Sequence, residues 1–253
     1  MNSILVSVIV FICVFGGAIL GLAVRTRLPG HHLSEDGKEA VKLVAGLVAT
    51  LTALVLGLLI STSKASFDTA NTMLTQSGAK ILQLDRALAN YGPETREIRG
   101  DLQRFLRDKI AKVWPEVKQK LPAADISGKI LDVEAIQMEV RNLAPTSDLQ
   151  RSLQVKAVQL SDDLEELRWL LFEQLQTSLP TMFLGMLLFW STILFACFGL
   201  LAPRNETVIA VFLVCAIAVS GAIFLILEME KPFRGAMKIS SAPLVKTLGR
   251  LGK

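Results

Sequence analysis

Cysteine is scarce in this chain and badly placed for cross-linking. Cys13, Cys197 and Cys215 all lie in apolar stretches, and the long polar region between them has none. A disulfide framework and a cysteine-based metal site are both excluded, and thiols in apolar surroundings behave as small hydrophobes. Histidine is scarcer still. His31 and His32 are the only two, beside Glu35 and Asp36. Adjacent histidines before a helix are more often a polar loop than a metal site, so no metal and no cofactor are expected. A pH-sensing role for the pair is the other reading.

Other absences narrow the function. Met1 to Val24 contains no lysine or arginine, so the basic start of a signal peptide is missing and the segment reads as a retained helix. There is no glycine-rich phosphate loop and no paired intramembrane carboxylate. No histidine sits in a motif with serine or cysteine. Such a chain is not expected to be an enzyme. No acidic residue follows Glu230, yet no aromatic interleaving accompanies that basic tail, so nucleic acid is not an expected partner.

What is present is apolar length. Asn2 to Val24, Leu43 to Ser63, Gln174 to Pro203 and Thr207 to Leu227 are almost free of charge, and each is long enough to cross a bilayer as a helix. The expected fold is an all-α integral membrane protein with four transmembrane helices, in which helices two and three extend into an aqueous helical bundle. Its parts are a hairpin of spans one and two (1–63), an aqueous helical domain (64–179), a hairpin of spans three and four (180–230) and a basic amphipathic tail (231–253).

Span two organises the chain. Gly46, Thr50, Ala53, Gly57, Ser61, Lys64 and Asp68 are spaced by three and four. At about 100° per residue they fall within roughly 80° of each other, one small and polar stripe. Val44, Val48, Leu51, Val55, Leu58 and Leu59 occupy the other side. In lipid, small residues let helices approach and hydroxyls bond across the contact, which makes the stripe a packing seam. Alternatively it lines a water-filled path, with Lys64 at the membrane edge favouring anions. Lys64 and Asp68 could also pair with each other.

The helical pattern does not stop at the membrane. Phe67, Ala70, Leu74, Ser77, Ile81, Leu84 and Leu88 follow heptad spacing, so one helix is expected over 40–90, with Gly78 its weak point. Tyr91-Gly92-Pro93 ends it. A helix over 93–114 would bury Ile98, Leu102, Phe105, Leu106, Ile110 and Val113. Another over 126–143 would bury Ile126, Ile130, Val133 and Ile136. A third over 147–179, capped by Ser147 or Thr146, would bury Leu149, Leu153, Ala157, Leu160, Leu164, Leu167 and Leu171. Asp162, Asp163, Glu165 and Glu166 lie off that seam and read as a solvated face. Ser34 and Asn205 are candidate caps for spans two and four. Gly17 and Gly21 form a small-xxx-small pair in span one.

Charge is uneven. From Lys64 to Glu173 there are 16 basic and 17 acidic residues, so the excess of +4 lies elsewhere. Lys231, Arg234, Lys238, Lys246 and Arg250 follow span four closely and read as contacts to anionic lipid head groups. Ala242 to Lys253 mixes leucines with these cations, as a helix lying on a membrane surface would. The basic tail and the cysteine-free middle favour cytoplasmic termini and a cytoplasmic helical domain, in the inner membrane of a bacterium.

The stretch LPGHHLSEDGKEAVKLVAGLVATLTALVLGLL at 28–59 resembles the opening of a bacterial family described as bestrophin-like. LDRALANYGPE (84–94), RWLLFEQ (168–174), FGLLAPRN (198–205) and FLILEMEKPFRGAMKISSAPL (224–244) agree with it. Bestrophins are oligomeric anion channels whose second span lines a central pore. The resemblance therefore implies a homo-oligomer and a permeant anion such as chloride. Bestrophins ring their pore neck with apolar and aromatic side chains, whereas this chain offers Gly57, Ser61 and Lys64, with Phe67 the nearest aromatic. No acidic cluster matches their calcium clasp. The alternative is a membrane-anchored helical scaffold or interaction protein.

Overall fold

The structure, a computed structural model, describes residues 2–27, 35–120, 133–176 and 181–252. Most of the described residues are helical: α1 Ser3–Arg25, α2 Glu35–Tyr91, α3 Arg96–Val113, α4 Val133–Arg141, α5 Asp148–Gln176, α6 Thr181–Leu201, α7 Glu206–Met229 and α8 Ala242–Leu248. Among them, α1, α2, α6 and α7 contain stretches long and apolar enough to cross a membrane. His31, His32, Ser34, Ile126 and Ile130 lie outside the described residues.

The chain divides into two units, 1–67 with 178–231, and 68–177 with 232–253. Residues 232–253 fall in the same unit as 68–177. The unbroken α2, 57 residues long, contributes to both units.

In the first unit α1 packs along α6 and α7. Glycine makes the α1–α6 contact possible. A Cβ on Gly17 would lie 2.8 Å from the carbonyl oxygen of Thr192. One on Gly21 would strike the Ala196 carbonyl, and one on Gly199 the Ala18 carbonyl. The small-xxx-small pair is thus a packing device whose partner helix is α6. Val14, Ala18, Leu187, Ala216, Ile223 and Ile226 form the centre of this unit, with Leu59 of α2 against them. Arg25 closes α1 by donating to the carbonyls of Leu201 and Ala202, which the end of α6 leaves open. Asn205 does occupy the N-cap position of α7, but its side chain makes no capping bond. Glu206 in the first turn answers the helix dipole instead.

The second unit has an apolar core of its own. Ala70, Leu74, Ile81, Leu84 and Leu88 of α2 are buried at the heptad positions read from sequence. Gly92, with φ 144°, makes the left-handed turn that only glycine takes without strain. Thr95, fully buried, donates its Oγ1 hydroxyl to Leu88 O at 2.5 Å and ties the turn to α2. On α3, Ile98, Leu102, Phe105, Leu106 and Ile110 face inward as expected, but Val113 does not. The helix stops at Val113, and Trp114, whose backbone has left the helical conformation, is buried in its place. Ser147 caps α5, its Oγ accepting from Gln150 N–H at 3.1 Å. Ala157, Leu160 and Leu164 are buried on α5, whereas Leu149 is exposed one turn too early.

The acidic run on α5 is not simply solvated. Asp163 meets Lys80 at 2.6 Å, and Asp162 meets Arg141 at 3.6 Å and Gln137. These pairs are partly exposed, so each contributes little to stability.

The tail departs most from its sequence reading. The leucines Leu244, Leu248 and Leu251 are buried in the helical domain, so the apolar side of α8 is not available to lie on a bilayer. Gly78, read as the weak point of α2, is the seat of this contact. A Cβ there would come within 3.1 Å of Thr247 Oγ1.

Candidate functional site

The stripe on α2 belongs to an amphipathic surface with three sectors. Ala45, Thr52, Leu59 and Ser63 are buried, with Val48 and Val55 half-buried beside them, and this sector packs within the first unit. The second sector is bulky and outward: Leu43, Val44, Leu47, Leu51, Leu54 and Leu58 are all exposed. Between them in projection lie Gly46, Thr50, Ala53, Gly57, Ser61, Lys64 and Asp68, and each of these is exposed in the protomer. The apolar side read from sequence is therefore split. Val48, Val55 and Leu59 turn to the bundle, while Val44, Leu51 and Leu58 face outward.

Helical spacing brings the stripe together, and its backbone is open. An added Cβ at Gly46 or Gly57 would meet nothing within 4 Å. One of the stripe's hydroxyls is internally bonded: Thr50 Oγ1 donates to Gly46 O at 2.9 Å. Back-bonding of this kind keeps a hydroxyl compatible with an apolar medium while leaving its lone pairs outward. The Lys64 ammonium stands over the Phe67 ring, 5.8 Å from its centroid.

Two polar side chains of the same span are turned the other way, which sequence spacing alone did not single out. Thr52 Oγ1 donates to Val48 O at 2.7 Å, and Ser63, 2% exposed, has no partner for its hydroxyl among the described residues. Glu228, near the end of α7, is buried as well. Its signal in the sequence was a carboxylate two residues before Glu230 with no break in the helical pattern.

The basic positions of the tail separate into two groups. Lys231 donates to Ser3 Oγ at 2.9 Å in the first unit. In the second, Lys238 pairs with Glu116 at 3.3 Å, and Arg234, Lys246 and Arg250 are exposed. The Glu116 carboxyl sits below the usual carboxylate range, first because a backbone N–H donates to it and then because of Lys238. In the core, Asp85 receives Arg99 at 2.7 and 3.1 Å, and this hydrogen bonding raises the guanidinium pKa further.

Four apolar helices and a helical domain built on the continuation of the second define an integral membrane protein of the all-α class. A family model, the Bestrophin-like domain, matches residues 12–244. The chain belongs to that bestrophin-like family. No curated protein matches it. Among solved structures, two single-substitution variants of a bacterial bestrophin homologue from Klebsiella pneumoniae share its fold. Each is 16% identical with a TM-score of 0.65, over 96% or 97% of this chain and 97% of theirs. A structure described only as a membrane protein matches equally, at 16% identity and TM-score 0.65, over 97% of both chains.

Proposed function

We propose that this protein is an oligomeric channel for anions, with the α2 stripe as its lining. One observation carries the proposal: every stripe position is exposed in the protomer, while the neighbouring sector of α2 is packed. Lipid is a poor cover for a face that carries the Thr50 and Ser61 hydroxyls and ends in the Lys64 and Asp68 charges. Copies of the chain arranged around an axis would turn that face inward and give it water. Small residues at Gly46, Ala53 and Gly57 would leave width, the outward hydroxyl lone pairs would hold water, and the Lys64 charge would favour anions such as chloride. Family membership agrees with this reading. The basic excess after span four orients the termini and helical domain toward the cytoplasm of a bacterial inner membrane.

The test is chloride efflux from liposomes holding the purified protein, with Lys64→Glu alongside. Efflux that the substitution lowers or turns cation-preferring supports a pore with Lys64 at its mouth. A Ser61→Cys variant, with Cys13, Cys197 and Cys215 replaced, distinguishes wet from dry. Rapid reaction with a water-soluble thiol reagent supports a pore. No reaction and no flux from a folded oligomer would make the stripe a seam in a membrane-anchored scaffold.

A further inference from the structure

The segment that leaves α7 builds a recess in the helical domain that is separate from the α2 stripe. Pro232 to Ile239 form a closed loop, in which Ile239 N–H donates to Pro232 O at 2.8 Å. Gly235, at φ 93°, makes the left-handed turn that reverses the loop. Its underside is fixed. Trp114 is 3% exposed, meets Phe233 edge to face at 5.8 Å, and donates its indole N–H to Ile239 O at 2.9 Å. A loop pinned in this way holds its outer side chains in one place.

This loop and the end of α3 border a recess of about 690 Å³ lined by Lys112, Glu116, Phe233, Arg234, Gly235 and Lys238, among others. It carries three cations against one carboxylate. Glu116 is engaged by Lys238, whereas Lys112 and Arg234 have no ion pair among the described residues. Two unneutralised cations from different chain segments, end of α3 and loop, line one concavity together with Phe233, whose ring Trp114 meets. Lone surface lysines spread apart to lower their repulsion. Cations held together by a pinned backbone suit a ligand with more than one negative charge. A phosphate group carries −1.5 to −2 at neutral pH when monoesterified, and matches the arginine fork with paired oxygens.

We propose that this recess binds a phosphate group, with Lys112 and Arg234 as its principal contacts and Lys238 joining them in exchange for Glu116. The group could be borne by a lipid head group or be free in solution. Arg234 follows Met229, the last residue of α7, by five positions, which favours the lipid source. The inference does not depend on the channel reading.

The experiment uses the full-length protein in a zwitterionic detergent and isothermal titration with two probes, inorganic phosphate and dihexanoyl phosphatidic acid. Lys112→Gln/Arg234→Gln should weaken binding by about tenfold or more, as expected for loss of charge-assisted contacts. Lys246→Gln/Arg250→Gln, on the tail but off the recess, should leave it unchanged. Binding of both probes supports the site and includes free phosphate among its ligands. Binding of phosphatidic acid alone supports it and assigns a head group. Glu116→Gln frees Lys238 without removing a cation and should tighten binding about threefold. This variant decides the matter if the double variant does not fold. The proposal is overturned if neither probe binds, if the double variant binds as wild type does, if the tail control loses as much, or if Glu116→Gln has no effect.

Discussion

The backbone N–H of Gly252 donates to Oδ2 of Asp85 at 3.2 Å, joining residues 167 apart in sequence. The same carboxylate, 2% exposed, holds Arg99 through two further hydrogen bonds. One buried charge thus fastens α2, α3 and the end of the chain to each other. Asp85→Asn keeps the shape and removes the charge, leaving Arg99 without its ionic partner. The expected loss is about 2–4 kcal/mol. Thermal unfolding of the variant, together with earlier proteolytic release of the tail, would show it; unchanged melting would contradict it.

Arg99 also sets a pH expectation. Its folded-state pKa is raised, chiefly by the hydrogen bonds to Asp85. A group with a raised pKa contributes fully below its unfolded value and loses that contribution only as pH rises through the folded one. The arginine side of this contact is therefore constant across neutral pH and fails only in strong alkali. Melting temperatures of wild type and Arg99→Gln measured from about pH 6 to pH 9 should run parallel. Curves that converge toward pH 9 would show the sign to be wrong.

The α1–α6 contact predicts a contrast between glycines on one helix. Gly21→Ala places a methyl against the Ala196 carbonyl, which is backbone and cannot swing away. The two helices must separate, at about 1–3 kcal/mol. Gly16→Ala meets nothing within 4 Å, and its higher helix propensity makes it neutral or slightly stabilising. Unfolding of both variants in the same detergent checks the difference; equal effects would remove Gly21 from the contact.

Trp114→Phe retains an aromatic ring in the buried site but deletes the donor to Ile239 O. The carbonyl is left without that partner, at about 1–2 kcal/mol. Local loosening should speed trypsin cleavage at Arg234 and Lys238 before the rest of the domain unfolds. Cleavage at the wild-type rate would show that the bond does not hold the loop.

On the stripe, stability and transport should separate. Gly57 borders open space, so Gly57→Leu leaves the protomer's packing untouched. If the stripe lines a pore, the added bulk should reduce chloride flux by about tenfold while melting stays near wild type. A variant that melts lower and no longer forms the oligomer would instead assign Gly57 to a contact between copies.

Features that depend on period and length were legible from the order of residues. Four apolar stretches dictated the membrane helices, because a bilayer demands about twenty apolar residues per crossing. The heptad from Ala70 to Leu88 dictated an unbroken α2, and its buried positions followed from spacing alone. The α2 stripe was legible for the same reason: residues on one helix share a face whatever surrounds it. Tertiary structure decided everything that depends on which surface meets which. The α3 period puts Val113 on the buried face and Trp114 about 100° away from it, and only the end of the helix at Val113 sends Trp114 inward. The leucines of α8 fit a bilayer or a protein core equally well, since both are apolar; the seat at Gly78 directs them to the core. Lys112 and Arg234 stand far apart in sequence and carry no shared motif. Their convergence needed a fold, because charge acts through space and the chain records only order.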